Sequence, residues 1–208
     1  MKNFDTRLYL ITNSENLSEE EFLHRVEEAL KGGATIVQIR EKTKSTKEYI
    51  DLAMKLHKIT SSYNVPLIVD DRVDVALAVG AEGVHLGSED MSIETARKIL
   101  GEDFIIGATA KTVPKALEAY NMGADYLGVG AIYPTTTKVK TVLTSVETLK
   151  EIVKAVPIPV NAIGGLNADN LDILEGSNIA GICVVSAVMY GDNPENICKE
   201  LLERSKNL

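Results

Sequence analysis

The feature that most constrains the fold is a unit that recurs about eight times: a short apolar run followed by an amphipathic stretch. Apolar runs that alternate with helical patterns predict strand–helix–strand units and a parallel sheet. Eight such units favour closure into a barrel over an open sheet. The predicted strands are Arg7–Thr12, Thr35–Glu41, Pro66–Asp71, Gly83–Gly87, Phe104–Thr109, Tyr126–Ile132, Pro159–Gly164 and Gly181–Ala187.

Helix-start signals fall between these runs, where the crossovers are expected. A Ser or Thr followed three residues later by Glu predicts a capping box, in which hydroxyl and carboxylate satisfy the first amide groups of a helix. An Asn before a Pro predicts the start of the last helix. The capping-box pairs are Ser18 with Glu21, Ser45 with Glu48 and Thr144 with Glu147, and the last start is Asn193 before Pro194.

The length of 208 residues fits a single small α/β domain over residues 1–208. We therefore expect a (β/α)8 barrel, the TIM-barrel architecture, at the short end of its size range. Enzymes of this architecture carry their chemistry on the loops that follow the strands. Polar residues just past each predicted strand are accordingly the candidates for a functional site.

The charge balance and the apolar runs exclude some classes of protein. A net charge of −8 argues against general nucleic-acid binding, which needs a basic surface, but leaves small anionic substrates open. No apolar run reaches 18 residues, so no membrane span is expected, and the start of the chain is too polar for a signal peptide. Cys183 and Cys198 have no metal-ligand spacing and are interpreted as reduced packing residues. A cytoplasmic protein is predicted.

The second predicted strand ends in two cations, Arg40 and Lys42. Residues two apart in a strand point the same way, and a guanidinium beside an ammonium suits a phosphate or pyrophosphate. The alternative is a loop in which these charges pair with carboxylates.

Carboxylates follow the third and fourth strands, at Asp70, Asp71 and Asp90. Two of them, Asp71 and Asp90, are placed to hold a Mg²⁺ ion that also binds substrate phosphate oxygens. The alternative is that each only caps a helix. His85, a lone histidine in an apolar strand, is interpreted as a hydrogen-bonded core residue.

The loops after the last three strands have a different composition. Three hydroxyl residues, Thr135–Thr137, precede Lys138, and hydroxyls, amides and an ammonium can together hold a phosphate. Gly165 follows the seventh strand, and Ser186 lies within the eighth predicted run, where phosphate sites of this fold occur. The alternatives are a polar surface loop, a tight turn and a buried serine.

In order and spacing, these segments resemble the thiamine-phosphate synthase family over almost the whole chain. The segments that carry the resemblance are Gln-x-Arg-Glu-Lys, Asp-Arg-Val-Asp, Gly-Val-His-Leu-Gly, Pro-Thr-x-Thr-Lys and Ala-Ile-Gly-Gly. The resemblance implies a TIM barrel that joins hydroxymethylpyrimidine diphosphate to a thiazole phosphate. The products would be thiamine phosphate and pyrophosphate, with Mg²⁺ as cofactor.

The resemblance also implies roles for individual residues. Arg40, Lys42 and Lys138 would stabilise the charge of the leaving pyrophosphate, and Asp71 and Asp90 would bind Mg²⁺. The expected contacts of the pyrimidine diphosphate are Gln38, Ile39, Arg40, Glu41, Lys42, Asp70, Thr109 and Lys138. The expected contacts of the thiazole phosphate are Thr135, Thr136, Thr137, Gly165, Val185 and Ser186.

Three departures from the family pattern leave fine substrate contacts open. Asp70 stands where an Asn is usual, and Ser88 where a Gln is common. After Lys138, Val139–Val142 replaces an acidic, glycine-containing stretch.

Two other functions remain as alternatives. Catalysis by a thiazole tautomerase of the same fold would depend on a histidine after strand five, but the sequence there is Ala108-Thr109-Ala110-Lys111-Thr112. A non-catalytic thiazole-phosphate-binding regulator would bind its ligand without turnover. The sequence is also compatible with a homo-oligomer.

Overall fold

The computed structural model describes residues 4–135 and 142–208. Eight parallel strands pair in chain order and close into a barrel, with β8 beside β1. The predicted (β/α)8 architecture is therefore confirmed. The strands are β1 (Leu8–Ile11), β2 (Ile36–Ile39), β3 (Leu67–Asp70), β4 (Gly83–Leu86), β5 (Ile105–Thr109), β6 (Tyr126–Gly130), β7 (Val160–Ile163) and β8 (Gly181–Val184).

Helices follow the strands, and among the described residues none is long and apolar enough to cross a membrane. The seventh crossover differs from the others because it contains a 3₁₀ helix, Ala168–Leu174, at whose start the side chains of Asn167 and Asn170 accept hydrogen bonds from backbone amides. The α-helices are α1 (Glu19–Lys31), α2 (Thr46–Ser62), α3 (Val73–Val79), α4 (Ile93–Leu100), α5 (Val113–Asn121), α6 (Val146–Ala155), α7 (Ser186–Met189) and α8 (Pro194–Arg204). A second 3₁₀ helix covers Ser205–Asn207.

Side chains alternate between two cores along every strand, as the period of two requires. One set packs outward against the helices, for example Leu8 and Leu10 of β1. The other set fills the barrel interior and comprises Tyr9, Ile11, Ile36, Ile68, Ile105, Tyr126 and Cys183. The polar residues at the strand ends continue the inward-facing set, and this places them at the barrel mouth.

The predicted helix starts are confirmed in part. Ser45 and Glu48 form a complete capping box, and Asn193 caps α8. Ser18 caps α1 by accepting from the Glu21 amide, while the Glu21 carboxylate pairs with Arg25.

The prediction that Thr144 caps a helix is wrong by one residue, because Ser145 is the N-cap of α6. Thr144 is buried instead, with its hydroxyl donating to the Gly130 carbonyl at 3.2 Å and its amide donating to the Ala131 carbonyl at 2.8 Å. The adjacent Ser145 supplies the capping hydroxyl, so the spacing from Thr144 to Glu147 does not mark the start of this helix.

Candidate active site

The ends of β2 and β3 bring the predicted cations and carboxylates together. Arg40 Nε lies 3.6 Å from Asp70 Oδ2, and Lys42 Nζ lies 2.7 Å from the same oxygen. Lys42 also donates a hydrogen bond to Asp71. The ion-paired arrangement that the sequence left open is present, and it concentrates charge at one edge of the mouth.

The third carboxylate of this cluster comes from the loop after β4. The Asp90 side chain lies close enough to that of Asp71 for each group to influence the pKa of the other. Asp90 Oδ2 also accepts from the Gly87 amide at 2.7 Å, which fixes the carboxylate in place. Asp71 has a positive φ of 61°, a left-handed backbone conformation that Asp tolerates better than most residues.

Burial and neighbouring charges shift the pKa values of the three carboxyl groups in different directions. Burial raises the pKa of Asp70 to about 6, against the opposing effect of Lys42. Burial also raises the pKa of Asp90, and the neighbouring Asp71 adds to the rise. Burial acts on Asp71 in the same sense, but the hydrogen bond from Lys42 and the interaction with Asp90 outweigh it and lower its pKa.

The donor set at Asp71 and Asp90 fits Mg²⁺. The two neighbouring carboxylates concentrate negative charge that a hard divalent cation can neutralise. Within residues 4–135 and 142–208, no group of three or more His, Cys, Asp or Glu side chains is placed to hold a metal. Two protein carboxylates are nevertheless what Mg²⁺ uses when waters and substrate phosphates complete its shell.

Tyr49 of α2 holds the two strand ends together, a role that sequence reasoning missed. Its buried hydroxyl lies 2.8 Å from the Ile39 carbonyl and 3.3 Å from the Asp70 carbonyl. In the sequence, a tyrosine on the apolar face of a helix indicates only a packing residue. Its polar tip nevertheless fixes the spacing of the strand ends that carry the cations and carboxylates.

Two residues of the predicted pyrimidine-diphosphate segment face other partners. Ile39 is fully buried among the side chains that pack against the helices, so only its backbone belongs to the mouth. The Glu41 carboxylate is 5% exposed, accepts from the Ser14 hydroxyl at 2.9 Å and pairs with Lys44 at 3.5 Å. These contacts join the loops after β1 and β2.

Thr109 ends β5 with its side chain exposed at the mouth. Its hydroxyl lies 3.0 Å from His85 Nε2, and His85 Nδ1 lies 3.1 Å from the Tyr126 hydroxyl. The prediction that His85 is hydrogen-bonded is confirmed, but the ring is only partly buried and lies at the mouth. The period-two alternation that predicts an inward-facing Arg40 also predicts an inward-facing His85, so the sequence contains a signal for this position.

The opposite part of the mouth is built by the loops after β6, β7 and β8. Gly165 has a φ of 65°, and a Cβ there would come within 2.6 Å of Tyr133 Cβ, so the glycine lets the two loops touch. Thr135 follows this contact in the loop after β6. Val185 lines the interior cluster and Ser186 is exposed at the start of α7. Thr136, Thr137 and Lys138 lie outside the described residues.

Comparison with known proteins assigns the chain to a family. The model of the family described as "Thiamine monophosphate synthase" matches residues 8–188. The chain belongs to this family. It is 49% identical to the thiamine-phosphate synthase of Clostridium tetani, over 96% of each chain. It is also 50% identical to thiamine-phosphate synthase 2 of Streptococcus pneumoniae, over 97% of this chain and 96% of the relative.

A solved structure agrees with this assignment. The thiamine phosphate pyrophosphorylase of Pyrococcus furiosus superposes with a TM-score of 0.87 at 42% identity, and 96% of each chain is covered. More distant structures, such as a 3-hexulose-6-phosphate synthase at 14% identity and a TM-score of 0.71, share the fold alone. The predicted family is confirmed, and nothing in the comparisons favours the tautomerase or the regulator.

Proposed function

We propose that the barrel mouth binds hydroxymethylpyrimidine diphosphate and a thiazole phosphate side by side and joins them with the help of Mg²⁺. The observation that carries the proposal is the cluster of Arg40, Lys42, Asp71 and Asp90 at adjacent strand ends. It combines cations for phosphate oxygens with two carboxylates for a metal. The metal would neutralise charge on the diphosphate.

The pyrimidine diphosphate belongs at the β2–β4 side of the mouth. Arg40 and Lys42 both pair with Asp70 there, and an incoming diphosphate would offer them further oxygen acceptors. The Thr109 hydroxyl is exposed on the neighbouring β5. Lys138, from the loop after β6, would add a third cation to the leaving group.

The reaction we propose needs no nucleophilic side chain. The exocyclic amine of the pyrimidine stabilises a cation at the methylene carbon as the C–O bond breaks, and the bonding electrons leave with pyrophosphate. The thiazole nitrogen then supplies the electron pair of the new C–N bond. The protein's part is to position both substrates and to stabilise the growing charge of the leaving group with Arg40, Lys42 and Lys138.

The thiazole phosphate belongs at the β6–β8 side. Gly164 and Gly165 both have positive φ, and their turn packs on Tyr133 of the loop after β6. Because β6, β7 and β8 are neighbours in the barrel, Thr135 and Ser186 lie on one side of its mouth, where hydroxyls and amides can hold a phosphate. Thr136 and Thr137 complete the set by resemblance to the family.

A steady-state assay of pyrophosphate release with both substrates tests the proposal. We expect turnover with Mg²⁺, loss of turnover in EDTA, and recovery when Mg²⁺ is restored in excess. Near-normal activity in EDTA contradicts the metal assignment. Isomerisation of the thiazole without pyrophosphate release indicates a tautomerase, and tight binding without turnover indicates a regulator.

Two further expectations concern the cellular compartment and the oligomeric state of the protein. The two cysteines, Cys183 and Cys198, are buried free thiols, which supports a reducing compartment such as the cytoplasm. Sedimentation of the active enzyme distinguishes a monomer from a homo-oligomer.

A further inference from the structure

Five polar side chains form a continuous hydrogen-bonded chain across the barrel interior, from Gln38 to Thr109. Gln38 Nε2 donates to the Tyr9 hydroxyl at 2.9 Å, and the hydroxyls of Tyr9 and Tyr126 are 2.6 Å apart. The Tyr126 hydroxyl lies 3.1 Å from His85 Nδ1, and His85 Nε2 lies 3.0 Å from Thr109 Oγ1. The chain thus joins two predicted substrate contacts, Gln38 on β2 and Thr109 on β5.

The middle of this chain is sealed from solvent. Tyr9 is 1% exposed and Tyr126 is fully buried. Burial raises the pKa of both phenols well above the usual value, so each keeps its single proton. The barrel leaves space for this pair, since a Cβ at Gly107 would overlap the Tyr126 ring. A buried hydroxyl without a partner is costly, which makes the direction of each hydrogen bond consequential.

The donor at the Gln38 end sets the direction of every bond that follows. Because the Tyr9 oxygen accepts from the Gln38 amide, the proton of Tyr9 is available for Tyr126. The proton of Tyr126 is then available for His85 Nδ1. An imidazole that accepts at Nδ1 carries its proton on Nε2 when neutral, and it donates from Nε2 to the Thr109 oxygen.

We propose that Tyr9, Tyr126 and His85 are positioning residues that hold the Thr109 hydroxyl as a hydrogen-bond donor to an anionic substrate oxygen. With its oxygen already accepting from His85, the Thr109 hydroxyl turns its proton towards the exposed mouth. In the reverse direction Thr109 would donate to His85 and present only lone pairs to the anion. The inference rests on the proposed function, in which Thr109 contacts the pyrimidine diphosphate.

The tautomer of His85 gives a test that needs no substrate. The chain contains three histidines, so ¹⁵N-edited spectra of the ring nitrogens are simple, and His85→Gln identifies the signal. We expect the neutral ring with hydrogen on Nε2 in the wild type. Hydrogen on Nδ1 would mean that the Gln38 amide is turned and the chain runs the other way, which overturns the inference.

A double-mutant cycle tests whether the buried residues act through Thr109. Thr109→Val should lower kcat/KM about 10- to 100-fold, the range for a hydrogen bond to a charged group. Tyr126→Phe should cost about three- to tenfold in the wild-type background. The second loss should disappear when Thr109 is already Val, because no hydroxyl remains to orient. Equal losses in both backgrounds would show that Tyr126 has only a structural role.

Controls separate the possible failures. Tyr63→Phe removes a tyrosine hydroxyl whose bond is to Glu27 at the protein surface, and it should leave kcat/KM unchanged. Tyr9→Phe leaves the Tyr126 proton free for His85, so a smaller loss than that of Tyr126→Phe is expected. Should Tyr126→Phe misfold, the tautomer measurement still decides. No effect of Thr109→Val refutes the Thr109 contact itself, whereas an effect of Thr109→Val without one from Tyr126→Phe refutes the inference alone.

Discussion

The two sides of the barrel mouth are built by different physical means. At the ends of β2–β4, charged side chains fix one another, as when Lys42 contacts both Asp70 and Asp71. At the ends of β6–β8, the described residues offer hydroxyls and a glycine turn, with Gly165 packed on Tyr133. One side is positioned by ion pairs and the other by backbone shape.

The difference matches the two ligands we propose. A diphosphate that leaves during the reaction gains charge, and fixed cations and a metal stabilise it more in the transition state than in the ground state. A phosphate that only anchors a substrate needs geometry rather than extra charge. Damage to the β2–β4 side should therefore lower kcat, whereas damage to the β6–β8 side should raise KM.

The largest effect is expected from the carboxylates that would hold Mg²⁺. Asp71→Asn and Asp90→Asn keep the size of each side chain, and Asn also tolerates the positive φ at position 71. Each should lower turnover about 10²–10³-fold because the leaving group loses electrostatic stabilisation. Pyrophosphate release under saturating substrates measures the loss.

A matched control for the metal pair lies three residues along the chain. Asp74 pairs with Arg72 at the surface and is 61% exposed, so Asp74→Asn should change turnover little. Thermal melts should show all three proteins folded. If Asp71→Asn turns over as Asp74→Asn does, Asp71 only ends a strand.

Lys138 sharpens the comparison because its loop belongs to the β6–β8 side while its proposed role is on the leaving group. Lys138→Ala should lower kcat about 10²-fold and leave thiazole-phosphate affinity nearly unchanged. Lys138→Arg should recover only part, since a planar guanidinium differs in shape from an ammonium. Pyrophosphate release and calorimetry on the same proteins separate the two quantities.

Lys140→Ala provides the control for Lys138, because it removes the same charge two residues away. If Lys138→Ala turns over as fast as Lys140→Ala, Lys138 is a surface residue with no role in stabilising the leaving group.

Gly165→Ala tests the shape of the β6–β8 side. A methyl group there meets Tyr133 and the Pro134 carbonyl, and it should raise KM for the thiazole phosphate roughly tenfold by pushing the two loops apart. The control is Gly176→Ala, which has nearly the same φ, 64° against 65°, but no atom within 4 Å of the added carbon. Both variants should lose about 1–2 kcal/mol of stability from the left-handed backbone. An unchanged KM in Gly165→Ala would remove this turn from the site.

The sequence was sufficient for the fold and for the charged side of the mouth because both follow from periodicity. Eight apolar runs predict eight strands, and residues two apart, such as Arg40 and Lys42, share a face. The same rule shows that Ile39 faces the helices. The contacts of Glu41 could not be predicted from the sequence, since its partner Ser14 belongs to a loop 27 residues away.

The roles of the positioning residues could not be predicted from sequence patterns. Tyr49, Tyr9 and Tyr126 look like packing residues in the sequence, and only the closed barrel brings Tyr9 and Tyr126 together across 117 residues. The Ser145 cap of α6 was missed because Thr144 precedes it with an equally suitable hydroxyl. Contacts of long sequence separation decide such cases, and no local motif encodes them.

The smallest effect is expected from restoring the residue usual in the family at position 70. Asp70 is buried, and its carboxylate occupies both Arg40 and Lys42, the cations proposed to receive the diphosphate. Asp70→Asn removes a competing anion, so KM for the pyrimidine diphosphate should fall about two- to fivefold, within the range of a single weakened ion pair. The kcat should change less, because the cations and the Asp71–Asp90 pair remain. Asp74→Asn again serves as the control. A rise in KM would instead show that Asp70 holds Arg40 and Lys42 in their binding positions. The ion pairs of the charged side would then position these cations more than they compete with the substrate.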